Sequence, residues 1–148
     1  MDRAVLQGDR AVSLFKGGLN CAQAVIASYS EEFGLEPAMA ARLAAGLGGG
    51  MGRLAQTCGA VSGAVLVLGL KHGNATAQDK AAKEKTYQKV REFVARFKAR
   101  NGAVVCRDLL GSDISTPDGL QMATQQGLFA TRCPTFVRDA AQILAEME

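Results

Sequence analysis

The stretch from Cys58 to Leu70, CGAVSGAVLVLGL, constrains this chain more than any other. Its only polar side chain besides the thiol is Ser62. A helix that is apolar on every side must be enclosed by other parts of the protein, so the pattern predicts a central helix over residues 58–70. Thr57 is placed to cap it, which makes Cys58 its first residue. Cys58 then stands at the positive end of that helix. Just upstream, residues 46–52 hold five glycines in seven positions. Such a loop can turn tightly or let its backbone approach a neighbouring group closely.

The remaining chain supplies helices to enclose this one. Aromatic residues are scarce at 5% and Trp is absent, while Ala and Gly are plentiful. That balance favours closely packed helices over sheets, which draw on aromatic and β-branched residues. Residues 3–16 read as an amphipathic helix with Val5, Val12 and Phe15 among its apolar positions, stopped by Gly17-Gly18. Asn20 caps a second helix with Gln23 at N3, a capping box, and Cys21 becomes its first residue. This helix runs to about Phe33 and ends at Gly34. Pro37 opens a third helix to about Ala45. Small residues Gly59, Ala60, Gly63 and Ala64 recur along the central helix and allow neighbours to pack closely.

Residues 76–100 give the longest amphipathic pattern, with Val90, Phe93, Val94 and Phe97 at helical spacing. From Asp79 to Arg100 there are eight Lys or Arg against three Asp or Glu, a local charge of +5. Asp79–Lys83 and Glu92–Arg96 have the stabilising acid-before-base spacing, and the charged face reads as a solvated one. A short helix over 103–110 carries Cys106. Residues 112–126 are rich in turns, with Thr116-Pro117-Asp118 as a helix start. The last helix begins around Cys133-Pro134 with Phe136, Val137, Ala140, Ala141 and Leu144 inward; Pro134 at N1 would make Cys133 the N-cap. The expectation is an all-α, single-domain bundle of about six or seven helices over residues 1–148 around the helix 58–70.

Several function classes fall away. A net charge of +3 is too weak to imply nucleic acid. Asp2, Arg3, Asp9 and Arg10 interrupt any secretory leader pattern. The apolar run 60–70 is too short for a bilayer core of about 30 Å, which needs about 20 residues. A cytoplasmic protein is expected, without a membrane span. Four cysteines in that setting argue against a secreted disulfide scaffold. Helical domains of this kind often pair, so a homodimer is in keeping with the pattern.

The cysteines are the chemical signal. Cys21, Cys58 and Cys133 fall at expected helix starts, where unpaired amides and about half a positive charge stabilise a thiolate. The thiolate is the form that attacks disulfides or binds metals. Arg53, Arg107 and Arg132, near three of the thiols in sequence, would push the same way, and Asp108 would oppose them near Cys106. Any one of these thiols alone reads better as a small buried hydrophobe. The intervals of 37, 48 and 27 residues contain no C-x-x-C pair of the kind zinc ribbons, ferredoxins and thioredoxins use. No haem attachment motif is present either. His72, the only histidine, lies about 20 Å from Cys58 along one helix, too far to act as its base. A C-terminal cap is the better role for it. The glycine loop lacks both a preceding strand and G-K-[ST], which argues against a nucleotide site.

These residues together resemble the C_GCAxxG_C_C family, which is labelled redox-active for its cysteine pattern. The CGAxxG motif reads Cys58-Gly59-Ala60-Val61-Ser62-Gly63. Around it stand Asn20-Cys21-Ala22-Gln23-Ala24-Val25, Gly48-Gly49-Gly50-Met51-Gly52-Arg53, Cys106-Arg107-Asp108-Leu109-Leu110-Gly111 and Cys133-Pro134. The resemblance covers nearly the whole chain in the expected order. The chain is similar also to the non-haem part of split-Soret cytochromes c, which implies a cysteine-bound iron–sulfur centre without the haem. Cys21, Cys58, Cys106 and Cys133 would carry it.

Three readings follow from the residues. Four helix-borne thiolates on one site repel one another unless a metal or cluster neutralises them, which favours a bound metal for electron transfer over four free thiolates and leaves an iron–sulfur cluster and zinc both open. A thiol–disulfide protein with reversible pairs stands second, with three pairings open. A helical assembly domain with packed thiols stands third. The redox partner is not specified by the sequence.

Overall fold

The computed structural model describes residues 2–148. The described chain runs through α1 (Arg3–Lys16), α2 (Cys21–Tyr29), a 3-10 turn (Ser30–Phe33), α3 (Pro37–Ala44) and a second 3-10 turn (Ala45–Leu47). It continues through α4 (Gly48–Met51), α5 (Gly59–His72), α6 (Lys80–Asn101), α7 (Cys106–Leu110), α8 (Pro117–Gln125), α9 (Leu128–Thr131) and α10 (Cys133–Glu146). Seven of these helices are eight residues or longer, as the sequence pattern leads one to expect. Among the described residues the only β pairing is one antiparallel bridge, Thr57 with Val105. No helix described is long and apolar enough to cross a membrane.

Local chemistry sets the helix starts. The Asp2 carboxylate accepts from the Ala4 amide and opens α1. Asn20 and Gln23 form a complete capping box at α2, satisfying amides the first turn leaves open. Asp79 accepts from the Ala82 amide, so α6 begins at Lys80 and residues 76–79 stay outside it. This use of Asp79 replaces the ion pair with Lys83 that its spacing suggests. The Glu92–Arg96 pair does form, at 2.9 Å.

The main core gathers around α5. Helices α2, α6 and α10 pack on it, and α1 lies across α2 and α10. Val61, Val67 and Leu68 of α5 meet Val25, Ile26, Phe93, Phe97, Val137 and Leu144 in one buried cluster. The Tyr29 hydroxyl donates to the Ala141 carbonyl at 2.7 Å, fastening α2 to α10. Gly63 explains how closely α2 and α5 meet, because a Cβ there would lie 2.6 Å from the Ala22 carbonyl oxygen.

The enclosure of α5 is incomplete. Val65 and Leu66 are half-buried, and Leu70 is 40% exposed. A shallow groove between α5 and α6, bordered by Val65, Tyr87 and Val90, leaves this flank open. Val5 is likewise exposed, because α1 turns Gln7, Gly8, Ala11 and Val12 inward. A second, smaller core joins Ala55, Cys106, Leu110, Ile114, Ala123 and Leu128, with Cys133 packed against it.

Candidate functional site

All four thiols border one cavity of about 640 Å³. They arrive from four elements. Cys21 is the first residue of α2, Cys58 caps α5, Cys106 begins α7 and Cys133 begins α10. Cys58 is thus the cap and not the first helical residue. Cys133 is the first helical residue and not the cap, since Arg132 occupies that place. Cys58 and Cys106 are buried, Cys21 and Cys133 are half-buried, and all four are free thiols.

The bridge between residues 57 and 105 positions two of them, each the residue just after it on its own segment. The Cys58 amide donates to the Val104 carbonyl at 2.8 Å, and the Cys106 amide donates to the Gln56 carbonyl at 2.6 Å. Residues 103–105 therefore stay outside any helix, and the helix expected over 103–110 starts only at Cys106. The same pairing spends the Cys58 and Cys106 amides on backbone partners, which fixes where each sulfur leaves the chain.

The glycine loop provides the opposite wall through an unusual backbone. Residues 49–53 all have positive φ: 66° at Gly49, 69° at Gly50, 71° at Met51, 58° at Gly52 and 63° at Arg53. Ala55 follows at 59°. Each non-glycine residue in that region costs about 1–2 kcal/mol, and such strain persists only where its surroundings over-determine it. Those surroundings are visible in the Ala55 and Gln56 amides, which donate to the Gly49 and Gly50 carbonyls at 3.1 and 3.0 Å. A Cβ at Gly50 would stand 2.5 Å from the Gln56 nitrogen and 2.8 Å from Cys106 Cβ. At Gly59 it would overlap the Cys21 sulfur. The tight turn and the close approach are one device, and it is Cys21 and Cys106 that the loop approaches.

Electrostatics single out Cys21. Its sulfur lies beside the Cys58 thiol and the Gly49, Ala22 and Cys21 amides, all of which favour the thiolate. Together these outweigh burial and hold Cys21 below the ordinary thiol range. The same contact, with burial and the charge on Cys21, holds Cys58 well above it. Burial first, then the Cys21 charge, pushes Cys106 up to about 11 and Cys133 up to about 12. A helix start alone therefore does not make a thiolate here. The acidic group acting on Cys106 is Asp113, not Asp108. Arg132 spends its guanidinium on the Leu109 and Leu110 carbonyls, the latter at 2.7 Å. Arg53 borders the cavity, and His72 ends α5, away from it.

The polar lining consists of the thiols, Asn20, Arg53 and Thr124; the rest is glycine and apolar side chains such as Phe15, Ile114, Phe129 and Phe136. No carboxylate or imidazole lines the cavity. Among the described residues no three of His, Cys, Asp and Glu stand close enough to hold a single ion. The glycines between Ala45 and Arg53 lead one to expect a tight turn or a close approach to a group at Cys58; the loop does turn tightly, and the sulfur-bearing residues that Gly49 and Gly50 approach are Cys21 and Cys106.

A family model described as "Putative redox-active protein (C_GCAxxG_C_C)" matches residues 19–147. No curated protein and no solved structure matches the chain.

Proposed function

The chain belongs to the C_GCAxxG_C_C redox-active family, and from that membership we propose that its four cysteines bind an iron–sulfur cluster for electron transfer. The observation that carries this reading is the convergence of every thiol in the chain, from four separate elements, on one cavity. A working dithiol needs two of them; a cluster uses four.

The spacing of the donors supports a cluster over a zinc ion. An all-thiol lining suits zinc and iron–sulfur centres alike. Zinc–sulfur bonds of about 2.3 Å would hold four tetrahedral sulfurs only about 3.8 Å apart, and no trio of ligands has the closeness one ion requires. In a [4Fe–4S] cluster each thiolate binds its own iron, and the sulfurs stand further apart. When bound, such a group supplies one-electron exchange. The chain's own residues do the rest. Cys21, Cys58, Cys106 and Cys133 would hold the group, and Phe15, Phe129 and Phe136 exclude water from it. The Gly49 amide lies beside the Cys21 sulfur, and an amide so placed raises a centre's potential.

The test is the visible spectrum of protein purified without air, for the native chain and four single Cys→Ser variants. Thiolate-to-iron absorption that all four substitutions weaken is expected. A colourless native protein, or a spectrum indifferent to Cys106→Ser and Cys133→Ser, overturns the reading.

A second reading has its own support in the Cys21–Cys58 contact. An acidic thiol beside a protonated one is the arrangement of a reversible dithiol, in which the thiolate attacks and its neighbour resolves. Loss of two titratable thiols on mild oxidation, confined to Cys21 and Cys58, would favour it.

A further inference from the structure

The surface above the cavity is unlike the rest of the molecule. Nine large hydrophobic side chains are exposed among the described residues, and four of them lie within residues 39–54: Met39 at 44%, Leu43 at 59%, Met51 at 51% and Leu54 at 53%. Met39 and Leu43 share the outer face of α3, since Ala40 and Ala44 take the inner face with no exposure. The Gly52 amide donates to the Gly46 carbonyl at 2.9 Å. That bond folds the left-handed turn back onto the 3-10 turn that follows α3, and Met51 and Leu54 stand exposed beyond it.

Charge on this surface is mainly positive. Residues 37–57 contain Arg42 and Arg53 and no Asp or Glu, and one exposed acid, Glu36, stands at the N-cap of α3. Both arginines are exposed, and neither has an ion-pair partner among the described residues. The same segment walls the four-thiol site. Arg53 borders the cavity, and Gly49 and Gly50, next to Met51 in the chain, approach Cys21 and Cys106.

We propose that this face, formed by Met39, Leu43, Met51 and Leu54 with Arg42 and Arg53, docks a small acidic electron-carrier protein. The proposal rests on the redox-centre reading and names the partner class for that same site. An electron donor must come close to the centre, and this segment forms part of its wall. Brief redox encounters use small interfaces, and complementary charge sets their rate and their salt dependence. Methionines suit a contact that must adapt and release. A second copy of this chain fits the face less well, because a two-fold axis would set four arginines, Arg42 and Arg53 of each copy, against two acids, Glu36 of each.

The experiment titrates the full chain with an acidic plant-type [2Fe–2S] ferredoxin by calorimetry, at low ionic strength and again in high salt. Binding that high salt abolishes is expected. Arg42→Glu with Arg53→Glu, and separately Leu43→Ser, should each weaken it by about tenfold or more, while Lys85→Glu on the basic helix α6 leaves it unchanged. No measurable binding, or equal binding by the variants, overturns the proposal. So does a dimer in gel filtration that Leu43→Ser splits, since a second copy would then cover this face. A colourless protein that still binds ferredoxin in this pattern refutes the cluster and leaves the docking surface standing.

Discussion

Three glycines of α5 should respond to the same substitution with opposite signs. At Gly63 a Cβ would lie 2.6 Å from the Ala22 carbonyl oxygen and 3.0 Å from Ala22 Cα. Both are backbone atoms of α2, which cannot rotate away, so the two helices must separate. Overpacking of this kind costs about 1–3 kcal/mol, against a helix-propensity gain from Gly to Ala of about 1 kcal/mol. Gly63→Ala should therefore lose up to about 2 kcal/mol. Gly59→Ala meets the Cys21 sulfur, the Leu47 oxygen at 3.1 Å and the Ala22 nitrogen at 3.2 Å. It should lose as much and also displace the thiol. At Gly69 nothing lies within 4 Å of the added carbon. Gly69→Ala should then keep the propensity gain of about 1 kcal/mol, a rise of about 2–4 °C in Tm for a chain of this size. Urea denaturation of the three variants checks the ordering. If Gly63→Ala proves as stable as Gly69→Ala, the close α2–α5 packing assigned to this motif is refuted.

Further outcomes follow from the same geometry. In metal-free protein at neutral pH, iodoacetamide should label Cys21 first, and peptide mass spectrometry should find Cys106 and Cys133 largely unmodified. The stability of the metal-free protein should fall as pH rises above about 9. Cys106 and Cys133 keep their protons in the fold up to about 11 and 12, while the unfolded chain releases them near the ordinary thiol value. The folded state then binds more protons, and its stability declines with pH. A flat or rising Tm between pH 9 and 11 would contradict this. Tyr29→Phe removes the buried bond to the Ala141 carbonyl and should cost about 1 kcal/mol by chemical denaturation.

The sequence makes the helices legible because their signals are local. Asn20 with Gln23, Pro37 and the Phe93–Phe97 stripe each act within a few residues, and the all-α bundle follows from them. What escapes is set by distant pairing. Cys58 caps α5 because its amide bonds to Val104, 46 positions away by number, and no pattern near Thr57 records that. The late start of α7 has the same origin. The left-handed turn escapes for a different reason. Met51, Arg53 and Ala55 adopt a backbone their own chemistry disfavours, imposed by the bonds that close the loop. Proximity in sequence also misleads about charge, since Arg132 serves two carbonyls and Asp113, rather than Asp108, acts on Cys106. The four cysteines could be named from the chain; that one sulfur is acidic and its neighbours are not depends on which amides reach it.

The central claim meets its most direct test in the iron and acid-labile sulfide content of the chain, purified without air. The account predicts iron and sulfide together, in equal amounts, bound to a protein whose four thiols resist alkylation until the metal is removed. Stoichiometric zinc without sulfide, or no metal with all four thiols open to reagent, would contradict it.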